Sequence, residues 1–404
     1  MGSCIYLTFG NIIAILLGYL LGSINPSFIL GKVIKGIDLR NYGSKNPGTM
    51  NAIHIIGGKW AIIPAIYDPL KGIISIYIAQ SLGATTFFAY AAGISALIGH
   101  CFPFYLKFKG GEGVATAVGI LLWGIYIMVR HSYLPYIDIL LLIPFTLSIL
   151  YVSKSGDITG AFILPFLIFA FLSTNPLKSA TILTSIVILF ILSRNLIHIY
   201  QNNLLNFKDI SNKIQPWRFW LRPVSLLFIV FYEIFSKQFV VILMGSVALI
   251  FLIMDTVRML NRGVNMFLLK NFILGFKRKE KHKFSSMTIF LISGTVIFLL
   301  FSREIAFTVL VFLIFGDMLA KYFGLRYGRH RFFRKSIEGF LMYFTSCIAI
   351  GIVLMKFLPI NIYEIALVSF TMSIIEILPL GIDDNLSSSL IGAVVYYVVK
   401  KGGV

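Results

Sequence analysis

"GHCFPFYLKFKGGEGVATAVG", residues 99–119, joins two apolar runs, near 85–101 and 114–129, each of about the length that crosses a bilayer. At the mouth of the second run it places Lys107, Lys109 and the pair Gly110-Gly111. A loop reversing direction outside the membrane explains the polarity. A cradle for a phosphate explains the glycines as well, because successive backbone N–H groups in such turns bind anions. The fold that follows is a membrane fold with its chemistry at the ends of spans.

Working outward, apolar runs recur near 8–30, 61–81, 136–152, 160–174 and 179–199, and again near 221–235, 238–257, 287–301, 305–322, 339–357, 361–379 and 387–399. The chain is 58% hydrophobic and 13% charged, against roughly a quarter charged in soluble domains. The expected fold is all-α: a polytopic integral membrane protein of two multi-span helical bundles. The first covers residues 1–200 and the second 219–404. "NNLLNFKDISNKIQPWRF" between them is polar, Asn-rich and broken by proline, so 201–218 reads as a linker. The first run, Ile5 to Leu21, has no basic n-region or small-residue cleavage site and is expected to be retained. Cys4, Cys101 and Cys347 show no metal or redox spacing and read as buried thiols.

The net charge is +19. Basic residues fall after the first span (Lys32, Lys35, Arg40, Lys45), at 107–109, at 258–283 and at 326–335. Loop lysines and arginines mark the cytoplasmic side, so the motifs they carry are expected to face the cytoplasm of a multi-pass cell-membrane protein. The stretch 258–284 reads as a basic cytoplasmic or interfacial helix. The partners implied are membrane lipids and anionic substrates, not nucleic acid.

Three stretches of the first half combine Gly with Ser, Thr, Asn and Lys beside a helix start: 22–52, "DPLKG" at 68–72, and the opening quotation. Ser44, Asn46 and Asn51 are side-chain donors, and Lys107 or Lys109 can supply the point charge a phosphate needs. Ordinary turns and caps are the plain alternative for each stretch taken alone. No Ser-His-Asp arrangement is visible.

"GSKNPGTMN" and "GHCFPFYLKFKGGEGVAT", with "DPLKG" between, resemble the motifs of the bacterial acyl-phosphate:glycerol-3-phosphate acyltransferases over about residues 5–200. That resemblance implies acyl transfer from acyl phosphate to glycerol 3-phosphate, giving lysophosphatidate, with no cofactor. It implies that Ser44, Asn46, Gly48 and Asn51 line the site and that Lys109, Gly110, Gly111 and Gly113 hold glycerol 3-phosphate. His54 stands where the family usually has arginine, and Glu112 where it has lysine. The third family motif corresponds loosely to "LSRNLIHIY", with Arg194, Asn195 and His198 as substrate-binding candidates and Ser193 in a histidine's place. Glu112 beside a phosphate should weaken binding unless another group compensates.

In the second half, "GDMLAKYFG", "KSIEG" and "EILPLGIDDNL" resemble the CTP-dependent phytol, dolichol and diacylglycerol kinases over about 220–400. The resemblance implies phosphorylation of a lipid alcohol from CTP. Its candidates are Asp317, Lys335 and Glu338 for catalysis, Glu280, Arg329, Ser336 and Asn385 for substrate, and Asp317, Glu376, Asp383 and Asp384 for Mg²⁺, a hard cation suited to such oxygens. Helix caps and structural ion pairs are the plain alternative. Two rivals cover the whole chain. One is a transporter of anionic solutes, which needs polar groups or helix breaks near the midplane of both halves, whereas here the polar motifs sit at span ends. The other is an inactive domain serving as a scaffold.

Overall fold

The computed structural model describes residues 9–173, 179–205, 222–261, 263–266, 283–333 and 335–402. Cys4, Glu280 and most of the basic stretch 258–284 lie outside these residues. The protein is an all-α polytopic integral membrane protein; among the described residues eight helical stretches are long and apolar enough to span. Contacts divide the chain into two units, Met1–Asp138 with Gly160–Leu204, and Ile139–Thr159 with Leu205–Val404. The stretch 139–159 therefore groups with the second unit, which hydropathy alone does not reveal.

The first unit contains α1 (Phe9–Ser23), α2 (Pro26–Lys35), α3 (Thr49–Ile56), α4 (Gly58–Ser81), α5 (Thr86–Cys101) and α6 (Val114–Arg130). From α7 (Tyr136–Ser153) and α8 (Gly156–Leu172) it takes the ends up to Asp138 and from Gly160, followed by α9 (Ser179–Gln201). Gly18 and Gly22, one turn apart, let α1 meet α5 backbone to backbone. A Cβ at Gly22 would stand 2.0 Å from the Ala96 carbonyl oxygen, and one at Gly99 would stand 2.3 Å from that of Tyr19. In lipid such small residues, rather than apolar burial, allow helices to associate closely. The run 8–30 is broken at Asn25-Pro26. Pro26 cannot donate to the preceding turn, and Asn25 caps α2 by accepting from the Phe28 N–H. That break lies at the end of α5, where the motif loops converge.

In the second unit, after a 3₁₀ turn at Arg222–Leu226, come α10 (Leu227–Ile234), α11 (Lys237–Leu260), α12 (Ser286–Leu300), α13 (Arg303–Tyr327), α14 (Ile337–Leu354), α15 (Ile362–Ile377) and α16 (Asp384–Gly402). The run near 221–235 is not one span: α10 has 8 residues, about 12 Å at the helical rise. Buried along most of its length, α13 is the axis of this unit. Its Gly316 takes the Tyr343 ring and Cys347 of α14. Two short antiparallel strands, β1 (Arg331–Phe332) and β2 (Lys335–Ser336), pair Arg331 with Ser336. Arg258, expected on a basic surface, is instead wholly buried with Asp255, which also accepts from Ser285 N and Thr288 Oγ1. An arginine at a span end can be drawn inward when a carboxylate and the Lys283 carbonyl take up its donors.

Candidate functional sites

The first motif loop is built around Asn51. From α3 its Oδ1 accepts from Ser44 N (3.1 Å), and its Nδ2 donates to the carbonyls of Leu39 (3.1 Å) and Tyr42 (3.0 Å). These bonds spend the side chain on the loop itself. Asn51, expected at the substrate, is a staple that shapes the loop. Gly43 is left-handed (φ 59°), and a Cβ there would collide with Asn51 Oδ1 at 2.2 Å. Ser44 is exposed, Gly48 caps α3 with an extended backbone, and Asn46 is half-buried between them. Asn46 Oδ1 and Thr49 Oγ1 are buried without a hydrogen-bond partner. Unsatisfied buried oxygens in one loop ask for a donor from outside the protein.

The second motif loop departs from the expected cradle. Gly110 N donates to the Cys101 carbonyl and Gly111 N to that of His100, both at 3.0 Å. The N–H groups proposed for phosphate are thus turned inward, and the two glycines serve close backbone approach instead. Gly113, left-handed (φ 81°), starts α6, and a Cβ there would meet Cys101 Sγ at 2.6 Å. Lys107 and Phe108 are both left-handed (φ 56° and 59°), as is Lys45 (φ 60°) in the first loop. Such strained non-glycine residues gather where surrounding structure holds a loop for a purpose. The Lys107 and Lys109 side chains lie at the surface.

Arg40, in the 3₁₀ turn of the first loop, joins the two. Its Nη1 donates to the carbonyls of Leu106 (3.0 Å) and Lys109 (3.3 Å), while Asp38 holds its other face at 2.7 Å. The guanidinium's hydrogen bonds depress the Asp38 carboxyl below its usual range. A second tie runs through the span break: Asn25 Nδ2 donates to the Pro47 carbonyl, Asn25 N to Tyr105 Oη, and Tyr105 Oη to the Ser23 carbonyl. Arg40 and Asn25 were not singled out from sequence as site residues. The Asn-Pro pair beside a span was the available signal for Asn25; nothing local marks Arg40.

The third segment answers the charge anomaly at Glu112. Its carboxylate pairs with Arg194 Nη2 at 3.1 Å and His198 Nε2 at 3.3 Å. Arg194 and His198 stand one turn apart on α9, and both engage the Glu112 carboxylate. These two side chains, expected on substrate, hold the glycine loop's own carboxylate. Asn195 is buried and turned toward Gly160, where a Cβ would stand 2.0 Å from its Nδ2. His54 lies exposed on α3.

In the second unit, the candidates do converge. Asp317 on α13 pairs with Lys321 Nζ at 2.6 Å and with Arg222. Lys335 Nζ lies between Glu376 (2.5 Å) and Asp384 (2.9 Å). Lys321 is within electrostatic range of Glu376, Lys335 and Asp384, so the pairs form one cluster. Burial pulls the Lys335 ammonium down in pKa, but the two carboxylates outweigh it and the value is raised. The remaining residues do structural work. Ser336 caps α14 through Gly339 N, and Glu338 accepts from His330 N and pairs with His330 Nδ1 at 2.9 Å. Asp383 Oδ1 accepts from Asn385 N at the start of α16, and Asn385 Nδ2 reaches the Ser286 carbonyl. Arg329 is exposed.

The carboxylates expected to hold Mg²⁺ are engaged by cations of the chain itself. Among the described residues no group of three or more His, Cys, Asp or Glu side chains is placed to hold a metal ion. Asp317 pairs with Arg222 and Lys321, Glu376 and Asp384 share Lys335, and Asp383 accepts from Asn385 N at the start of α16.

A polytopic helical membrane protein with two motif loops pinned together at one span break is the class that fold and geometry define. Comparison narrows it. The glycerol-3-phosphate acyltransferase family matches residues 12–204. A glycerol-3-phosphate acyltransferase of Fusobacterium nucleatum is 37% identical over 158 residues, 38% of this chain and 76% of that one. One from Alkaliphilus metalliredigens is 37% identical over 173 residues, 40% and 78% of the two chains. A crystal structure of PlsY (YgiH), an integral membrane glycerol 3-phosphate acyltransferase in its glycerol 3-phosphate form, aligns at 29% identity with TM-score 0.35, covering 48% of this chain and 92% of that one. The chain belongs to the glycerol-3-phosphate acyltransferase family. The CTP-dependent kinase expected of residues 219–404 receives no support from these matches.

Proposed function

We propose that the first unit acylates glycerol 3-phosphate from an acyl phosphate, releasing lysophosphatidate and inorganic phosphate for phospholipid synthesis. The relatives carry the name glycerol-3-phosphate acyltransferase, which supports the acceptor; the donor is inferred from the motif resemblance. The observation that carries the reading is the Arg40 bridge, which brings the loop of Asn46 and Thr49 against the loop of Lys107 and Lys109 across a long sequence separation. An acyl phosphate is already activated. The glycerol hydroxyl oxygen bonds to the acyl carbon as the bond from that carbon to the phosphate oxygen breaks, and the hydroxyl proton leaves with phosphate. The chain then needs only to orient two anions and neutralise them. Lys107 and Lys109 supply charge, and the unsatisfied oxygens of Asn46 and Thr49 accept from the glycerol hydroxyls. The test is purified protein with acyl phosphate and radiolabelled glycerol 3-phosphate. Absence of labelled lysophosphatidate refutes the reading.

We infer a second activity on different grounds, the convergence of Asp317, Lys321, Lys335, Glu376 and Asp384. A cluster of lysines and carboxylates at the ends of spans is a site for an anionic headgroup or nucleotide phosphate, in keeping with phosphorylation of a lipid alcohol from CTP. Labelled CTP with a panel of lipid alcohols tests it, and no labelled lipid removes it. Both sites are proposed to face the cytoplasm.

A further inference from the structure

Resting on the acyltransferase reading, we propose that Asp68, Lys71 and His100 form a buried positioning unit for the first site, in which Lys71 fixes His100 as the neutral tautomer protonated on Nε2. All three are 3% exposed or less. Lys71 Nζ has three neighbours, Asp68 Oδ1 at 2.8 Å, the Ile24 carbonyl at 3.2 Å and His100 Nδ1 at 2.6 Å, while His100 Nδ1 stands farther, 3.5 Å, from Asp68 Oδ1. An ammonium has three protons and no lone pair, so each neighbour takes one. His100 Nδ1 therefore carries none, and the ring proton sits on Nε2. Asp68 balances the lysine's charge, and the pair needs no further ion.

Two features separate this unit from an ordinary buried ion pair. First, His100 meets the glycine loop twice. Its carbonyl accepts from Gly111 N, and its Nε2 stands 2.3 Å from where a Gly111 Cβ would be. Second, the Ile24 carbonyl lies in the span break from which Asn25 holds Pro47 of the other motif loop. One ammonium thus references both loops to the same point. Deleting it should loosen the loops against each other while α4 and α5 stay packed through Gly93 and Ile76.

The test uses the full-length protein in lipid nanodiscs, with glycerol 3-phosphate affinity read by calorimetry and the imidazole state by nitrogen-15 NMR of histidine-labelled protein. The His100 signal is assigned by its loss in His100→Asn. The expected spectrum is a neutral ring with an unprotonated, hydrogen-bonded Nδ1, altered in Lys71→Met. Lys71→Met should weaken glycerol 3-phosphate binding tenfold or more. His100→Asn, which keeps an acceptor near Nδ1 and clears space, should make Gly111→Ala less damaging than it is in the parent chain. An imidazolium or an Nδ1-protonated ring overturns the proposal. So does Lys71→Met that lowers thermal stability but binds glycerol 3-phosphate normally. If the parent chain binds no glycerol 3-phosphate, the acyltransferase reading fails, and the NMR arm still decides the Lys71–His100 arrangement.

Discussion

Gly110→Ala is the sharpest perturbation of the first site. An added Cβ would stand 2.1 Å from the His100 carbonyl oxygen, 2.4 Å from Pro103 Cδ and 2.8 Å from the Cys101 carbonyl oxygen. Each is backbone or a fixed ring, so no flexible side chain can give way. The loop must lift, breaking the Gly110–Cys101 and Gly111–His100 hydrogen bonds. Overpacking of this kind costs about 1–3 kcal/mol, and two backbone hydrogen bonds add about 1 kcal/mol each. A loss of about 3–5 kcal/mol in loop placement corresponds to more than a hundredfold in kcat/KM, at about 1.4 kcal/mol per factor of ten. Gly58→Ala is the control, since a Cβ at the start of α4 meets nothing within 4 Å. The assay is lysophosphatidate formation from acyl phosphate, with thermal unfolding run in parallel. Gly110→Ala within twofold of the parent in kcat/KM would show that the close approach does not govern the site.

Glu112→Lys, which restores the family's usual charge, should not improve this chain, because it removes the carboxylate that Arg194 and His198 share and sets a second cation against Arg194; a rise in KM for glycerol 3-phosphate is expected, and a fall would dismiss the pairing. Lys335→Met leaves the buried Glu376 carboxylate unpaired and should destabilise the second unit by about 3 kcal/mol, read as a lower thermal midpoint, with Lys335→Arg closer to the parent. Asp38 is held below its usual pKa, so the stability it contributes is present above about pH 4 and lost as pH falls through its folded value. Asp38→Asn should therefore flatten acid unfolding of the first unit, and an unchanged acid limb would count against the Arg40 bridge. Cysteines placed at Lys45 and Lys109 should resist impermeant reagents applied to intact cells, and outside labelling of either contradicts a cytoplasmic site.

The sequence by itself determined that this is a helical membrane protein, because hydropathy over a span's length reflects a transfer free energy that tertiary context rarely reverses. It also determined which loops matter, since glycine, asparagine and lysine clusters at span ends carry the family pattern. What the loops do was decided only in three dimensions. Gly110 and Gly111 read as phosphate donors because a one-dimensional string cannot say that their N–H groups find the carbonyls of His100 and Cys101. Asn51 read as a ligand because its three loop partners become neighbours only once the 3₁₀ turn closes. Glu112 read as a defect until α9 brought Arg194 and His198 to it. The same holds for Asp317, Glu376 and Asp384: spacing marked them as a set, but which of them share a lysine and which takes its own depends on directions that only packing fixes. Local patterns record which groups are polar, and long-range packing decides which partner satisfies each one.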